Sequence, residues 1–223
     1  MRRSASIRSA ARALFASSLA GLGVLVAMPA VAAAETYEYR IDHPTYGEIG
    51  RYVNVVRQDR GETEVDSELR IAVKVLGIVV YREEAERVEH WRGDMLVSFD
   101  GTTVTNGDKI ELHGAARDGG FVITTPSGPV VAPASVHPSN PWSPAVLKAN
   151  VMMSTRTGRI MPVAVTGGEE RTITLASHQM RLHQYEVVGE RHQFVWFDGS
   201  GRPVAFRTEQ EGSNIDFVLV RHS

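Results

Sequence analysis

The stretch that decides the fold runs from residue 69 to residue 91 and reads Leu69-Arg-Ile-Ala-Val-Lys-Val-Leu-Gly-Ile-Val-Val-Tyr-Arg-Glu-Glu-Ala-Glu-Arg-Val-Glu-His-Trp91. In a strand, alternate residues from Ile71 to Trp91 would share one face, because successive side chains point to opposite sides. A helix from Glu83 has favourable propensity but no capping residue after Tyr81. The pattern favours two consecutive strands, with Gly77 as a bend or bulge. We expect the charged run to form a solvated face of the sheet.

Turn signals recur at short intervals along the rest of the chain. Their members are rich in Gly, Asn, Asp and Pro, and include Pro44–Gly47, Asp59–Gly61, Asn106-Gly107, Arg117–Gly120 and Asp198–Gly201. Runs of Val, Ile, Thr, Tyr, Phe and Trp lie between them. Strands at such spacings predict an all-β sandwich, a barrel or a large open sheet.

The C-terminal third shows the clearest connections. Gln193–Phe197 and Pro203–Arg207 flank an Asp-Gly-Ser-Gly turn, and Ile215–Val220 follows as the next strand, which predicts a meander. Before it, Ser143–Lys148 predicts one short helix with Ser as its N-cap and Pro at its first position. The proline-rich loop Ala132–Trp142 precedes that helix, and loops of this length are often functional.

The N-terminus predicts a signal for export. Four arginines lie within residues 1–12, an apolar stretch of small residues follows, and Ala-x-Ala precedes Glu35. We therefore expect cleavage near Ala34, a periplasmic or secreted product, and a single β domain over residues 35–223. The apolar stretch is short for a membrane span, and no later segment is longer, so no span is expected.

Composition excludes several classes of function. The chain has no Cys, which removes disulfides, thiol nucleophiles and Cys-based zinc sites. Residues 35–223 carry 20 basic and 26 acidic side chains. This acidic balance argues against nucleic acid or anionic lipid surfaces as partners, because both need a basic face.

Eight histidines raise the question of a metal site. His178 and His183 have opposite parity and would point to opposite faces of one strand, and no His-Glu-x-x-His signature occurs. We therefore expect no metal and no cofactor. A hydrolase is a further alternative, because Ser135, His137 and Ser139 lie in the proline-rich loop, although no Gly-x-Ser-x-Gly elbow is present.

Several short pieces resemble one family. They are Tyr39–Asp42, Gly47–Gly50, Ile71–Gly77, Glu89–Trp91, Asn106-Gly107, Asn140–Trp142, Thr157-Gly158, and Trp196–Asp198 with Gly201 and Pro203. The pattern is similar to an uncharacterised family of exported bacterial β-sheet proteins, a domain of unknown function. More distantly, it resembles the periplasmic lipoprotein-carrier and lipoprotein-receptor fold.

The resemblance narrows the expected architecture and function. It implies a mainly β protein with a large curved antiparallel sheet, a half-open barrel with meander connections, one short helix and a Pro-rich lid loop. The expected function is non-enzymatic binding of an apolar small molecule, or of the acyl chain of a lipid or lipoprotein. An envelope scaffold or assembly factor acting through protein contacts is the main alternative.

Six residues are candidates for lining the cavity or its lid. Aromatic and thioether side chains suit apolar sites, although each also fits an ordinary core. They are Tyr81, Trp91, Trp142, Met152, Met153 and Trp196.

Overall fold

The computed structural model describes residues 33–175, 178–189, 192–210 and 212–223. The expected signal peptide lies outside these residues except for its last two positions. The described chain forms strands β1 (Ala33–His43), β2 (Gly47–Asp59), β3 (Glu62–Val75), β4 (Ile78–Arg92), β5 (Met95–Thr105), β6 (Asp108–Arg117), β7 (Gly120–Thr125), β8 (Gly128–Pro133), β9 (His137–Pro138), β10 (Val151–Met153), β11 (Ile160–Pro162), β12 (Ala164–Leu175), β13 (His178–Val188), β14 (His192–Phe197), β15 (Pro203–Gln210) and β16 (Ser213–His222).

Thirteen of these strands form one antiparallel sheet in the order β12-β13-β14-β15-β16-β1-β2-β3-β4-β5-β6-β7-β8. Two meanders, β1–β8 and β12–β16, are joined where β16 pairs with β1. A sheet of this size twists and curls, and its edge strands β12 and β8 do not pair with each other. The expectation of a large, half-open, meandering sheet is confirmed.

The stretch from Leu69 to Trp91 forms β3 and β4, so the strand interpretation is correct. The role expected for Gly77 is wrong, because Leu76 and Gly77 form a tight turn in which β3 reverses into β4. The pairing of Val73 with Tyr81 keeps the alternate residues of both strands on one face.

The solvated face expected for the charged run is also wrong in part. Glu83 and Arg87 are each 7% exposed, and Glu89 is 0% exposed. All three lie at alternate positions that point inward with Ala85 and Trp91, whereas Glu84 and Glu86 lie on the opposite, exposed side.

The inner face of the sheet carries the main core. One row across five neighbouring strands consists of paired, buried residues, namely Tyr39, Tyr52, Leu69, Ala85 and Thr103. Residues 134–163, which we call the crossing segment, pack against this face. The segment contains the small sheet β11-β10-β9 and contributes Val136, Val146, Met152 and Met153 to the same core.

The one short helix expected at Ser143 is present as a 3-10 turn over Pro144–Lys148. Ser143 accepts a hydrogen bond from the amide of Ala145, as an N-cap does. This turn and the proline-rich loop before it, apart from Ala132 and Pro133 at the end of β8, belong to the crossing segment.

Within the described ranges, four two-residue hairpin turns have positive φ at both positions. They are Arg60-Gly61, Leu76-Gly77, Asn106-Gly107 and Asp118-Gly119. Turns of this type favour Asn, Asp or Gly at the first position. In Leu76 the left-handed conformation costs about 1–2 kcal/mol, and the side chain is 97% exposed.

No helix in the described ranges is long and apolar enough to cross a membrane.

The close approach of β2 to β3 gives a test of the fold. A Cβ at Gly50 would lie 2.0 Å from the carbonyl oxygen of Arg70 on β3, so Gly50→Ala must displace backbone. We expect a loss of about 1–3 kcal/mol in the free energy of unfolding, measured by urea denaturation. Gly199→Ala is the control, since beyond its two chain neighbours no heavy atom lies within 4 Å of an added Cβ. Equal stability of the two variants would contradict this pairing.

Candidate functional site

A buried carboxylate fastens the crossing segment to the inner face. Glu89 of β4 accepts hydrogen bonds through Oε2 from the indole Nε1 of Trp91 and of Trp142, each at 3.0 Å. Its Oε1 accepts from Nδ2 of Asn140 at 3.1 Å. Two of these three donors belong to the crossing segment, so the carboxylate connects that segment to the sheet.

The hydrogen-bond network continues from Asn140 towards β2 and β3. Its Nδ2 also donates to Oγ of Ser67 at 3.1 Å, and its Oδ1 accepts from the hydroxyl of Tyr52 at 2.6 Å. Ser67 in turn donates to Oδ1 of Asn54 at 2.7 Å. A network in which each buried group has a partner orients the crossing segment as well as stabilising it.

Burial and hydrogen bonding act in opposite directions on Glu89. Burial raises the pKa of its carboxyl group, while the donors Asn140, Trp91 and Trp142 and the charge of Arg87 act to lower it. Burial is the largest effect and the pKa is raised overall. Burial also raises the pKa of Tyr52 to about 12.

An apolar cavity lies at one end of the sheet. This end, where the β1–β2, β3–β4 and β15–β16 connections lie, is called the mouth. The cavity has a volume of about 390 Å³, and its apolar walls come from four strands, namely Ile49, Ile71, Val73, Val80, Ile215 and Phe217. We call it the apolar chamber.

A second cavity adjoins the apolar chamber, since Thr208 and Gln210 line both. Its volume is about 440 Å³ and its lining includes Glu83, Arg87 and Arg156. We call it the polar chamber. Sites for small molecules have volumes of about 300–1,000 Å³, so each chamber is large enough to hold part of a ligand.

In the polar chamber, the positive charges are not all matched by negative ones. Glu83 accepts a hydrogen bond from the hydroxyl of Tyr81 at 2.5 Å and lies 3.7 Å from Nη1 of Arg156. Arg87 donates through Nε to the carbonyl of Thr155 at 3.4 Å. No carboxylate of the described chain forms an ion pair with Arg87, so its guanidinium presents a buried positive charge to the chamber.

Two further depressions lie along the outer face, one beside Asp66 and Glu86 and one beside Arg57 and His90. Arg57 is ion-paired with Asp66 and Glu64 there. The first depression is lined by four carboxylates, Asp66, Glu68, Glu86 and Asp100, which disfavour an anionic ligand there. In the part of the chain that the structure covers, no group of three His, Asp or Glu residues is arranged to hold a metal ion.

Trp91 and Trp142 meet each other but do not line the mouth. Their rings form an edge-to-face pair at 5.8 Å, and the ring of His137 lies 5.2 Å from Trp91. Only a small space of about 10 Å³ remains between these rings and the 3-10 turn. The two tryptophans therefore join the crossing segment to the sheet.

The other four candidates lie in three places. Tyr81 lines the apolar chamber, and Met152 lines the polar chamber while packing in the core beside Met153. Trp196 packs in a separate small cluster with Leu182 and Val218, on the opposite face of the sheet. These environments could not be told apart from the sequence, since all six are apolar residues within strands or loops.

Glu89, Asn140 and Arg87 were missed as site residues. A signal did exist, because Glu89 and Arg87 have the same parity as Val73 and Trp91, and the apolar members of that set predict a buried face.

The hydrolase alternative relied on Ser135 and His137, which the structure places in different environments. Ser135 is exposed, whereas His137 is 8% exposed and packed against Trp91, and burial lowers its pKa.

Comparisons with known proteins agree with this architecture. Residues 47–220 match the family model described as Domain of unknown function (DUF6134). One similar solved structure is a β-barrel-like protein of domain of unknown function DUF1849 from Brucella abortus, with a TM-score of 0.64 and 8% identity over 86% of this chain and 98% of that chain. No curated protein matches. The expectation of an uncharacterised β-sheet family is confirmed.

The Glu89 network predicts a loss of stability in Glu89→Gln. The amide NH₂ of Gln would face either the two indole N–H groups or the amide of Asn140, so a donor would oppose a donor. We expect a loss of about 1–3 kcal/mol in the free energy of unfolding. Glu84→Gln, on the exposed side of the same strand, should change it by less than about 0.5 kcal/mol.

The difference in stability between the wild type and Glu89→Gln should depend on pH. Because the pKa of Glu89 is higher in the folded state than its ordinary value of 4.5, the unfolded chain ionises first as pH rises. The stability contributed by this group is complete below pH 4.5 and is lost as pH rises through the folded-state pKa. Urea titrations of both proteins should therefore show the wild-type advantage shrinking with pH, and an advantage that grows would contradict the raised pKa.

Proposed function

The chain belongs to the DUF6134 family, a domain of unknown function, and from the geometry of its mouth we propose that it binds an amphiphile with an acyl chain and an anionic head group. The acyl chain occupies the apolar chamber and the head group lies near Arg87 in the polar chamber. The protein acts after export, in the periplasm or outside the cell, and catalyses no reaction. The observation that carries this proposal is the contact of an apolar cavity with one that contains the buried guanidinium of Arg87, which forms no ion pair with a carboxylate among the described residues.

The apolar chamber supplies the affinity. Aliphatic and aromatic side chains from β2, β3, β4 and β16 line it, together with the polar side chains of His43, Thr45, Thr208, Gln210 and Ser213. The apolar part of the wall removes an acyl chain from water. Each buried methylene contributes about 0.8 kcal/mol. A chain of moderate length therefore gains enough free energy to offset the cost of association.

The polar chamber supplies the selectivity for a charged head. Glu83 is already satisfied by Tyr81 and Arg156, and Glu89 already accepts three hydrogen bonds. Arg87 therefore remains for an incoming carboxylate or phosphate, and hydrogen bonds between charged groups are about twice as strong as neutral ones.

The crossing segment limits the ligand to the mouth. Trp142, which we expected to line the cavity or its lid, is hydrogen-bonded to Glu89 and packed on Trp91. The inner face beneath it is filled by buried side chains of the segment, such as Met153. The ligand thus enters beside β3, β4 and the β15–β16 hairpin.

Displacement of a fluorescent fatty acid tests the proposal. Unlabelled fatty acid should displace the probe at roughly tenfold lower concentration than its methyl ester, because the ester cannot pair with Arg87. Val80→Asp places a charge in the wall of the apolar chamber and should weaken probe binding at least about tenfold. Val131→Asp is the matched control, since Val131 is exposed on the edge strand β8 and lines neither chamber.

Two results would contradict the proposal. One is a wild-type protein that binds no probe and carries no amphiphile detectable by solvent extraction and mass spectrometry. The other is probe binding that Val80→Asp and Val131→Asp weaken equally, because the probe would then lie outside the mouth.

A further inference from the structure

We infer that the β3–β4 hairpin inserts its tip into the surface of an anionic membrane, beside the mouth. Five apolar side chains are exposed at this tip. They are Val75 at 40%, Leu76 at 97%, Ile78 at 69%, Val79 at 42% and Val80 at 55%. An apolar patch on this scale marks a surface that contacts something other than water.

The hairpin projects beyond the strands on either side of it. The last residue of β3 paired with β2 is Ile71, and the first residue of β4 paired with β5 is Glu83. In the ribbon between them, residues 72–82 form strand pairs only with each other, and Arg82 also forms hydrogen bonds through its backbone with Asn106 of the β5–β6 turn. With about 3.4 Å of rise per residue, its apolar end reaches far enough to enter the head-group region, where apolar faces are buried by about 5–10 Å.

The turn residue is unusual for its position. Among the described residues, the three other turns with positive φ at both positions begin with Arg60, Asn106 and Asp118, which are all polar. Leu76 adopts the same strained conformation at φ 51° and is almost fully exposed. A Leu that is exposed in a left-handed turn buries no apolar surface within the fold. We therefore attribute its presence at this position to a contact that the tip makes with a partner.

The chain as a whole is acidic, but the only charged residues of the ribbon 72–82 are Lys74 and Arg82, and this local charge favours an anionic membrane as the partner. Lys74 and Arg82 lie at the base of the apolar tip, both are exposed, and neither forms an ion pair within the described chain. Cations set back from an apolar tip reach phosphate groups while the tip enters the acyl region. At the same end of the sheet, Tyr46 is 47% exposed, and tyrosine is enriched at membrane interfaces.

Vesicle sedimentation tests the inference. The wild-type protein should sediment with vesicles of equal parts phosphatidylethanolamine and phosphatidylglycerol, and less with phosphatidylcholine alone. Leu76→Asn should reduce the bound fraction at least about tenfold, while keeping or raising stability because Asn favours this turn. Ile78→Ser should act in the same direction.

Arg60→Asn is the matched control, because it changes the first residue of the same type of turn at the opposite end of the sheet. It should leave vesicle binding unchanged. Fatty-acid binding should also survive in Leu76→Asn, since Leu76 lines neither chamber, so failure of this inference is distinguishable from failure of the proposed function.

Three outcomes would overturn the inference. The first is no binding of the wild type to anionic vesicles, and the second is equal binding of the wild type and Leu76→Asn. The third is a concentration-dependent dimer in solution that Leu76→Asn abolishes without any vesicle binding, because the tip would then contact a second copy of the chain.

Discussion

The rest of the structure depends on one buried carboxylate, Glu89, and the three N–H groups that it accepts. A thirteen-stranded sheet that curls exposes an inner face that has to be covered. The crossing segment covers it, and the bonds from Asn140 and Trp142 to Glu89 determine where it lies. Because a buried carboxylate without partners is costly, alternative positions of the segment that leave Glu89 unpaired are disfavoured. The interaction therefore specifies one arrangement of the interior.

This arrangement divides the inner face into two regions. Beneath the crossing segment the interior is solid, with Trp91, Met153 and Val65 packed together in one core. Towards the mouth the segment leaves the two chambers open. Arg87 lies between these regions, two residues before Glu89 on the same side of β4. One strand thus carries both the group that anchors the segment and the charge that we assign to ligand recognition.

Much of the fold could be predicted because its determinants are local. Alternation from Ile71 to Trp91 predicts strands, and Asn106-Gly107 and Asp198–Gly201 predict turns. The site could not be predicted, because it depends on residues far apart in sequence, such as Asn140 and Tyr52. Glu89 was hidden within a charged run whose exposed members, Glu84 and Glu86, resemble it in composition and differ only in parity. Leu76 was hidden as well, since nothing in an apolar run indicates which residue occupies the turn.

Hydrogen exchange of the indole N–H groups, followed by NMR, tests the central claim most directly. If Trp91 and Trp142 both donate to Glu89 in the folded protein, their Nε1 protons exchange only through global unfolding, at the rate set by the most protected backbone amides of β3 and β4. Rapid exchange of both indole protons, while those backbone amides remain protected, would show that the crossing segment is not held by Glu89 and would contradict the account.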